Sequence, residues 1–203
     1  MKIKTLHLGL IKTNCYLLST DKAAVVIDPG FDSPATLEFL NENSYKERLI
    51  LLTHSHFDHI GGAEVLREKT GVKIGIGEAD ADGLADTELN LSDMFHAKVN
   101  PFKPDLTFKN GDIITVGDIT FKVINTPGHT VGGVCYLSGD RLFSGDTLFE
   151  NSIGRTDFPG GDLKALKRSV KNLMTLPAET KVYPGHGYST TIAREKEYNM
   201  FAR

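Results

Sequence analysis

The chain has very few cysteines. Its 203 residues include only two, Cys15 and Cys135, and each lies inside an apolar run that reads as a strand. Isolated thiols in such runs behave as small core hydrophobes. The sequence therefore excludes a disulfide framework and a thiolate metal site as the basis of this protein.

Long apolar runs and blocks of basic residues are also missing. No stretch approaches the length of a membrane span, and the first residues, MKIKTLHLGLIKTNCYLL, lack the apolar core of a signal peptide. The formal net charge is −3, so electrostatics do not favour nucleic acid. We expect a cytoplasmic enzyme with no membrane partner and no nucleic-acid partner.

A Gly-x-Ser-x-Gly nucleophile elbow is missing as well. Neither cysteine lies near a motif that carries polar, chemically active residues. A serine or cysteine nucleophile is therefore not expected, and the chemistry has to come from other side chains.

The stretch Leu49 to Gly62 carries the strongest chemical signal. After a short apolar run, His54, His56, Asp58 and His59 place three imidazoles and a carboxylate within six residues. In an extended segment residues i and i+2 point the same way, so His54 and His56 converge on one point. Asp58 and His59 begin a predicted helix and face a second point nearby. The alternative is that these are solvated residues of a surface loop, but four ligand-type residues at this spacing after an apolar strand favour a metal site. Histidine-rich ligation without thiols favours zinc, manganese or iron at two such sites.

The rest of the pattern predicts an α/β protein. We expect one domain over residues 1–203, an αββα sandwich of two mixed β-sheets flanked by helices. Predicted strands cover residues 2–9, 14–20, 23–28, 48–53, 72–76 and 181–183, the runs LTFKNG, DIITVG and DITFKVI, and a hairpin around Ser138–Asp140. Predicted helices run from Ser33 to Asn43, Asp58 to Lys69, weakly over 78–86, Asp162 to Met174, and onward from Thr190 or Thr191.

One predicted helix has a clear apolar face, whereas another segment has no regular pattern. The helix Asp162 to Met174 carries an apolar stripe that should face the core, made of Leu163, Leu166, Val170, Leu173 and Met174. Residues 87–104 show no regular pattern and contain several aromatic residues. This segment is either a lid over the site or an ordinary connection packed on the body.

Candidate ligands recur at four predicted strand ends. These are the His54 loop, His129, Asp146 and His186. Each of the last three follows a glycine, which lets the backbone turn and present the side chain. Strand ends on one edge of a sandwich lie close together, so one cluster can collect all four.

The motifs THSHFDHIGG, TPGHT, SGDTLF and PGHG, in this order, resemble the metallo-β-lactamase superfamily over nearly the whole chain. The resemblance implies two metal sites, with Asp146 bridging them and Asp28 as a supporting aspartate behind the ligands. The implied ligands are His54, His56 and His129 for one metal, and Asp58, His59 and His186 for the other. Asp58 and Asp146 are the residues implied to take part in catalysis.

Within the superfamily the chain is most similar to the glyoxalase II branch, which hydrolyses glutathione thioesters. The run Ser152 to Phe158 follows the bridging position, and Arg155 falls where that branch places a basic residue for a glutathione carboxylate. Asp157 departs from the branch, which has an aromatic residue there, and the chain stops without the branch's further helical domain. The last part of that run, Gly154 to Phe158, is also similar to the persulfide dioxygenases, mononuclear iron enzymes of the same branch.

These features predict a metal-dependent hydrolase of small thioesters such as S-acyl glutathione. Two divalent metals, with zinc expected and iron or manganese as alternatives, would lower the pKa of a bound water toward ~7. The resulting metal-bound hydroxide would attack the carbonyl of an anionic thioester, and a thiolate needs little protonation to leave. The alternative function is a mononuclear iron persulfide dioxygenase.

Overall fold

Six strands of the first half of the chain form one mixed sheet. The structure is a computed structural model that describes residues 1–42 and 45–202. The strand order is β1-β2-β3-β4-β5-β6, antiparallel from β1 to β3 and parallel from β3 to β6. The strands are Lys2–Leu8, Thr13–Ser19, Ala23–Ile27, Glu47–Leu52, Lys73–Gly77 and Leu106–Phe108.

The second half forms a sheet of similar size in the order β14-β13-β10-β9-β8-β7, in which only β10 and β13 are parallel. A short hairpin of β11 (Leu148–Phe149) and β12 (Ser152–Ile153) follows β10. The six sheet strands are β7 Ile113–Val116, β8 Ile119–Asn125, β9 Val134–Ser138, β10 Arg141–Gly145, β13 Lys181–Pro184 and β14 Thr190–Thr191.

Among the residues that the structure describes, five α-helices accompany the two sheets. They are α1 Pro34–Asn41, α2 Phe57–Ile60, α3 Ala63–Thr70, α4 Leu163–Leu173 and α5 Ile192–Tyr198. Leu40 and Leu66 pack on the outer face of the first sheet, whereas Leu166 and Ile192 pack on the second. In the part of the chain that the structure describes, no helix has the length and apolar character needed to cross a bilayer.

The main core lies between the two sheets. Val25 and Ile27 of β3 meet Phe121 of β8 and Tyr136 of β9, and all four are fully buried. The alternate residues of β3, Ala24 and Val26, face the helices and are also fully buried. A strand covered on both faces has to be apolar at every position, which explains the continuous run AAVVI. The predicted αββα sandwich is therefore confirmed.

The predicted helix Asp58 to Lys69 is wrong in one respect, because the structure breaks it into α2 and α3. A Cβ on Gly61 would lie 2.3 Å from the Gly30 carbonyl oxygen, and one on Gly62 would lie 2.5 Å from the Phe31 carbonyl oxygen. The two glycines let the turn after β3 approach the backbone here, and this contact interrupts the helix.

Three smaller predictions also need correction. The weak helix over 78–86 is two short 3₁₀ turns, Glu78–Asp80 and Asp82–Leu84. Helix α1 begins at Pro34, so Ser33, the first residue of the predicted helix, stands just before it. Leu163 is 45% exposed, because it begins α4 before the helix reaches the sheet. Helix α1 ends at Asn41, and Asn43, its predicted end, lies outside the described residues.

Candidate metal centre

The ligand-type residues lie at one edge of the sandwich, where the strands that precede them end. The loop of His54 follows β4, whereas His129, Asp146 and His186 follow β8, β10 and β13. Ligand atoms lie within 4.8 Å of one another in three groups: His54, His56 and His129; His54, His59 and Asp146; Asp58, His59 and His186. The structure thus brings together all seven predicted ligands, and their individual roles stay predictions.

Three imidazoles form the first group. The ring centroids of His54, His56 and His129 are 4.6 to 4.9 Å apart, and each residue is at most 5% exposed. Their Nε2 atoms are buried and have no hydrogen-bond partner. Buried polar nitrogens are normally satisfied, so three converging nitrogens without a hydrogen-bond partner fit a metal ion as their common partner.

Asp146 lies between the groups. Its Oδ2 is 3.6 Å from Nε2 of His129 and 3.6 Å from Nε2 of His186. Its Oδ1 is 3.3 Å from Nε2 of His59. One carboxylate therefore faces a predicted ligand of each metal, which is the position that a bridging ligand requires.

Hydrogen bonds hold the far side of three imidazoles. Nδ1 of His59 lies 2.9 Å from Oδ2 of Asp28, and Nδ1 of His129 donates to the Arg155 carbonyl oxygen at 2.7 Å. Nδ1 of His54 lies 3.0 Å from the Thr53 hydroxyl. With Nδ1 engaged in this way, Nε2 is the nitrogen that remains for a metal.

Asp28, predicted to support the ligands, connects two neighbouring strand ends. Besides its contact with His59, it accepts hydrogen bonds from the Thr53 backbone N–H at 2.8 Å and from the Thr53 hydroxyl at 2.7 Å. Its φ is +53°, an uncommon value for a residue other than glycine. The turn holds this strained conformation while the carboxylate orients His59 and the ligand loop.

Sequence reasoning missed the supports that β2 supplies. The Thr13 hydroxyl donates to Oδ2 of Asp58 at 2.9 Å. The Asn14 amide donates to the carbonyl oxygens of Pro184 and Gly187, both at 3.0 Å, on either side of His186. Thr13 and Asn14 are far from their partners in the sequence and have no motif of their own, so no signal in the sequence identifies them.

Burial and neighbouring charges separate the protonation states of the histidines. Burial, together with the neighbouring histidines, holds the pKa of His54 well below its ordinary value and lowers that of His56 to about 3. Burial opposes the charged form of His59 too, but Asp58, Asp146 and Asp28 raise its pKa well above the ordinary value. His54 and His56 are therefore neutral and ready to ligate, whereas a metal must displace a proton from His59.

The pKa values of the carboxyl groups of Asp58 and Asp146 are lowered. Burial alone would raise the pKa of Asp58 and of Asp146, but His59 and His186 lower it in both. Ionised carboxylates and neutral imidazoles form the nitrogen and oxygen ligand set that zinc and iron accept. The residues present thus fit a metal pair.

A cleft of ≈ 470 Å³ opens over the cluster. Its wall includes Phe95 of the irregular segment 87–104, which stacks on Phe57 at 5.1 Å between ring centroids. Phe102 of the same segment is 5% exposed and packs in the core. The segment therefore both lines the cleft and packs on the body, and its movement as a lid stays a prediction. The apolar lining consists of Ile11, Phe57, Leu91, Phe95, Phe149, Ile153 and Phe158.

Arg155, predicted to bind substrate, lines this cleft but is already engaged. Its Nε and a terminal nitrogen donate to the two carboxylate oxygens of Asp157 at 2.7 and 2.6 Å. Its guanidinium also lies 3.9 Å from the centre of the Phe158 ring. The basic residue is in the predicted place, but an internal carboxylate occupies the position expected for a substrate carboxylate.

The family model described as the metallo-β-lactamase superfamily matches residues 8–186. The chain belongs to this superfamily. The match begins at the end of β1 and ends at His186, the last of the seven ligand-type residues. The resemblance of the four motifs to this superfamily is therefore confirmed.

Two curated relatives align over nearly their full length. The probable metallo-hydrolase YqgX of Bacillus subtilis (strain 168) is 36% identical, over 99% of this chain and 97% of its own. The hydroxyacylglutathione hydrolase GloC of Haemophilus influenzae is 33% identical, over 99% of this chain and 98% of its own. The relatives of this chain within the superfamily thus include proteins named as metal-dependent hydrolases.

Solved structures of the superfamily superpose closely. The BLEG-1 B3 metallo-β-lactamase has a TM-score of 0.91 at 39% identity, covering 99% of both chains. TTHA1623 in a di-iron-bound form has a TM-score of 0.87 at 35% identity, covering 98% of this chain and 99% of its own. ETHE1 from Myxococcus xanthus has a TM-score of 0.81 at 33% identity, covering 100% of this chain and 85% of its own.

Proposed function

We propose that this superfamily member hydrolyses small thioesters at a pair of divalent metal ions. The observation that carries the proposal is the convergence of seven ligand groups beneath the cleft, with orphaned imidazole nitrogens at their centre. The similarity to a hydroxyacylglutathione hydrolase supports the choice of thioesters. Two bound metals would supply a water of lowered pKa and positive charge for the developing oxyanion.

The residues of the cluster have distinct tasks in this proposal. His54, His56 and His129 would hold one metal, and Asp58, His59 and His186 would hold the other. Asp146 would lend its carboxylate to both groups, and its negative charge would offset the repulsion between two cations. Asp28 fixes the ring of His59 through the 2.9 Å contact with its Nδ1.

The proposed leaving group is a thiolate. Among the described residues that line the cleft, the carboxyl groups are those of Asp58 and Asp146, and both are assigned to the metals. No carboxylic acid is left there to protonate a departing atom. A thiolate with a solution pKa near ~8.5 departs unaided, whereas an alkoxide or an amide nitrogen needs a proton.

The proposed substrate has an apolar portion next to the reacting carbonyl. Seven apolar side chains line the cleft, and Arg155 is its one lysine or arginine within the described residues. A glutathione carboxylate that reached Arg155 would have to compete with Asp157 for the guanidinium. The residues of the cleft therefore support a thioester more directly than they support glutathione as the thiol that carries the acyl group.

A matched pair of substrates tests the proposal. The zinc-loaded protein should hydrolyse S-acyl glutathione with a kcat/KM at least about 100-fold above that for an oxygen ester of the same acid. Such a ratio corresponds to about 2.7 kcal/mol of barrier, within the range that general acid catalysis supplies when it is present. Equal rates for the two esters would reveal an unrecognised acid and contradict the proposed mechanism. Turnover of a β-lactam, measured in parallel because of the similarity to BLEG-1, should stay near background.

A persulfide dioxygenase is the second candidate. It is favoured by the resemblance of the run Gly154 to Phe158 to that class. The similar structure of TTHA1623 in a di-iron-bound form supports iron as the metal to test, but not the mononuclear site of that class. The iron-loaded protein should be given glutathione persulfide while dissolved oxygen is followed. Oxygen consumption without thioester cleavage by either metal form would replace the hydrolase proposal with this one.

A further inference from the structure

Asp80 is a buried carboxylate that none of the proposed steps uses. It ends the first 3₁₀ turn after β5 and is 5% exposed. Its Oδ2 accepts hydrogen bonds from the Ser55 backbone N–H at 3.1 Å and from the Thr130 hydroxyl at 2.7 Å. Its Oδ1 accepts one from the Gly132 backbone N–H at 2.5 Å.

The three donors belong to the two segments that carry the first group of imidazoles. Ser55 lies between His54 and His56, and Thr130 directly follows His129. The segments come from opposite sheets, since one follows β4 and the other follows β8. A single carboxylate from a third segment therefore connects the two segments that have to stay in register for three imidazoles to converge.

The second feature of Asp80 is its charge. Among the residues that the structure describes, no lysine or arginine pairs with this carboxylate. Burial raises the pKa of Asp80 above its ordinary value, although its three hydrogen bonds and His129 oppose the rise. A buried carboxylate without a counter-charge is costly. A cation held by the adjacent imidazoles would offset that cost.

We infer that Asp80 is a positioning residue that raises metal affinity at the His54, His56 and His129 group, by joining its two segments and by supplying negative charge behind it. The inference rests on the proposed metal pair. It is selective, because the group formed by Asp58, His59 and His186 is held instead by Thr13, Asn14 and Asp28. Sequence reasoning missed Asp80, because it is one of several acidic residues in the run EADAD and no pattern distinguishes it from the others.

The test separates the two groups of ligands. His186→Ala leaves the three-histidine group intact, whereas His129→Ala leaves the group of Asp58, His59 and His186. Zinc affinity of each variant is measured by competition with a chromophoric chelator, with and without Asp80→Asn. In the His186→Ala background Asp80→Asn should weaken zinc binding about 10- to 100-fold, as loss of an outer partner of a ligand does. In the His129→Ala background the change should be less than about twofold.

A matched control excludes a general loss of structure. Asp105 also connects segments through its side chain, accepting from the Ile74 backbone N–H at 2.8 Å and from Arg67 at 3.2 Å, away from the cluster. Asp105→Asn should leave zinc affinity unchanged in both backgrounds. Equal weakening of both groups by Asp80→Asn, or none in the His186→Ala background, would overturn the inference.

A second variant keeps the test decisive if Asp80→Asn does not fold. Thr130→Val keeps the carboxylate but removes the 2.7 Å hydrogen bond. It should weaken zinc binding about two- to tenfold in the His186→Ala background only, and unchanged affinity there would overturn the inference. Zinc affinity is measured without substrate, so failure of the thioesterase assay would leave this result standing, and the two proposals fail separately.

Discussion

At the scale of single residues, Asp146 has the most demanding position. Its two oxygens face histidines of both predicted metal groups, so removal of the carboxylate would leave the two proposed metals without a shared anion. Asp146→Ala should reduce bound metal below two per chain and lower kcat at least about 100-fold, measured by elemental analysis and thioester turnover. Asp140→Ala is the control, since Asp140 is an exposed hairpin carboxylate that pairs with Arg141. Full metal content with normal turnover in Asp146→Ala would refute the bridging role.

Replacement of Arg155 and replacement of Asp157 should change KM for S-acyl glutathione in opposite directions. If Arg155 binds a substrate carboxylate, Arg155→Ala should raise KM for S-acyl glutathione. Asp157→Asn should lower the same KM, because it removes the competing carboxylate. Each change should be about two- to fivefold, the range of exposed ion pairs. A thioester of an uncharged thiol should show neither effect, and unchanged KM in both variants would make the pair purely structural.

The residues of the site differ in how far the sequence foretells them. His54 to His59, His129, Asp146 and His186 stand after strands or glycine turns, so a local pattern marks each of them. Thr13, Asn14 and Asp80 act through contacts 25 to 173 residues away, and no local pattern encodes such pairs. The pairing of Arg155 with Asp157 is likewise not marked in the sequence, because it depends on how one loop turns.

At the scale of elements, the break between α2 and α3 is the feature that places His59. Gly61 sits where any side chain would strike the Gly30 carbonyl oxygen, just after the turn that carries Asp28. Gly61→Ala should therefore separate the turn from the helix, cost about 1–3 kcal/mol of unfolding free energy, and weaken metal binding. Denaturant unfolding and metal content check this.

Gly71→Ala provides the comparison for Gly61→Ala. Gly71 ends α3 with φ +69° and has open space where a Cβ would be added. Its replacement should cost about 1 kcal/mol through backbone strain and leave metal content unchanged. If both variants lose stability but keep their metals, the helix break does not position the site.

The elements show what periodicity can and cannot predict. Strands β1 to β5 were predicted within a residue or so of their bounds, because burial on one or both faces leaves a clear apolar pattern. The break at Gly61 and Gly62 was not, because helical periodicity continues through both segments and only the approach of a distant turn interrupts it. Leu163 was placed in the core because periodicity does not show where a helix first meets its sheet.

At the scale of the whole molecule, the histidine cluster predicts how stability of the metal-free protein depends on pH. The pKa of His54 lies well below the ordinary value and that of His56 is about 3. Below pH ~6.5 the unfolded chain therefore binds protons at these residues that the folded chain does not bind, and stability falls as the pH falls. The pKa values of His59 and His186 are raised, so their contribution is present below pH ~6.5 and is lost as pH rises through the raised values. Stability should therefore fall on both sides of a maximum near pH ~6.5.

Denaturant unfolding of chelator-treated protein at several pH values measures this profile. Each proton bound by only one state contributes up to about 1.4 kcal/mol per pH unit. The metal-loaded protein is the comparison, and it should not lose stability above the maximum because metal displaces the protons of His59 and His186. A metal-free profile that rises steadily from pH ~5 to 8 would contradict the assignment of raised pKa values to these two histidines.

The sandwich itself follows from the sequence because each half alternates strands and helices and the chain carries enough apolar residues to cover both sheets. The meeting of the four ligand-bearing strand ends at one edge also follows from this layout. What the layout does not reveal is the depth of the cleft or the pairing of side chains in it, since these depend on loops that carry no periodic pattern.

The ligand loop supplies four of the seven ligand groups in one unbroken segment, and the other three come from three later strand ends. A chain that is still being synthesised therefore displays a short chelating peptide before β8, β10 and β13 exist. The first sheet therefore carries only part of the set, and the seven groups meet only when the second sheet closes on the first.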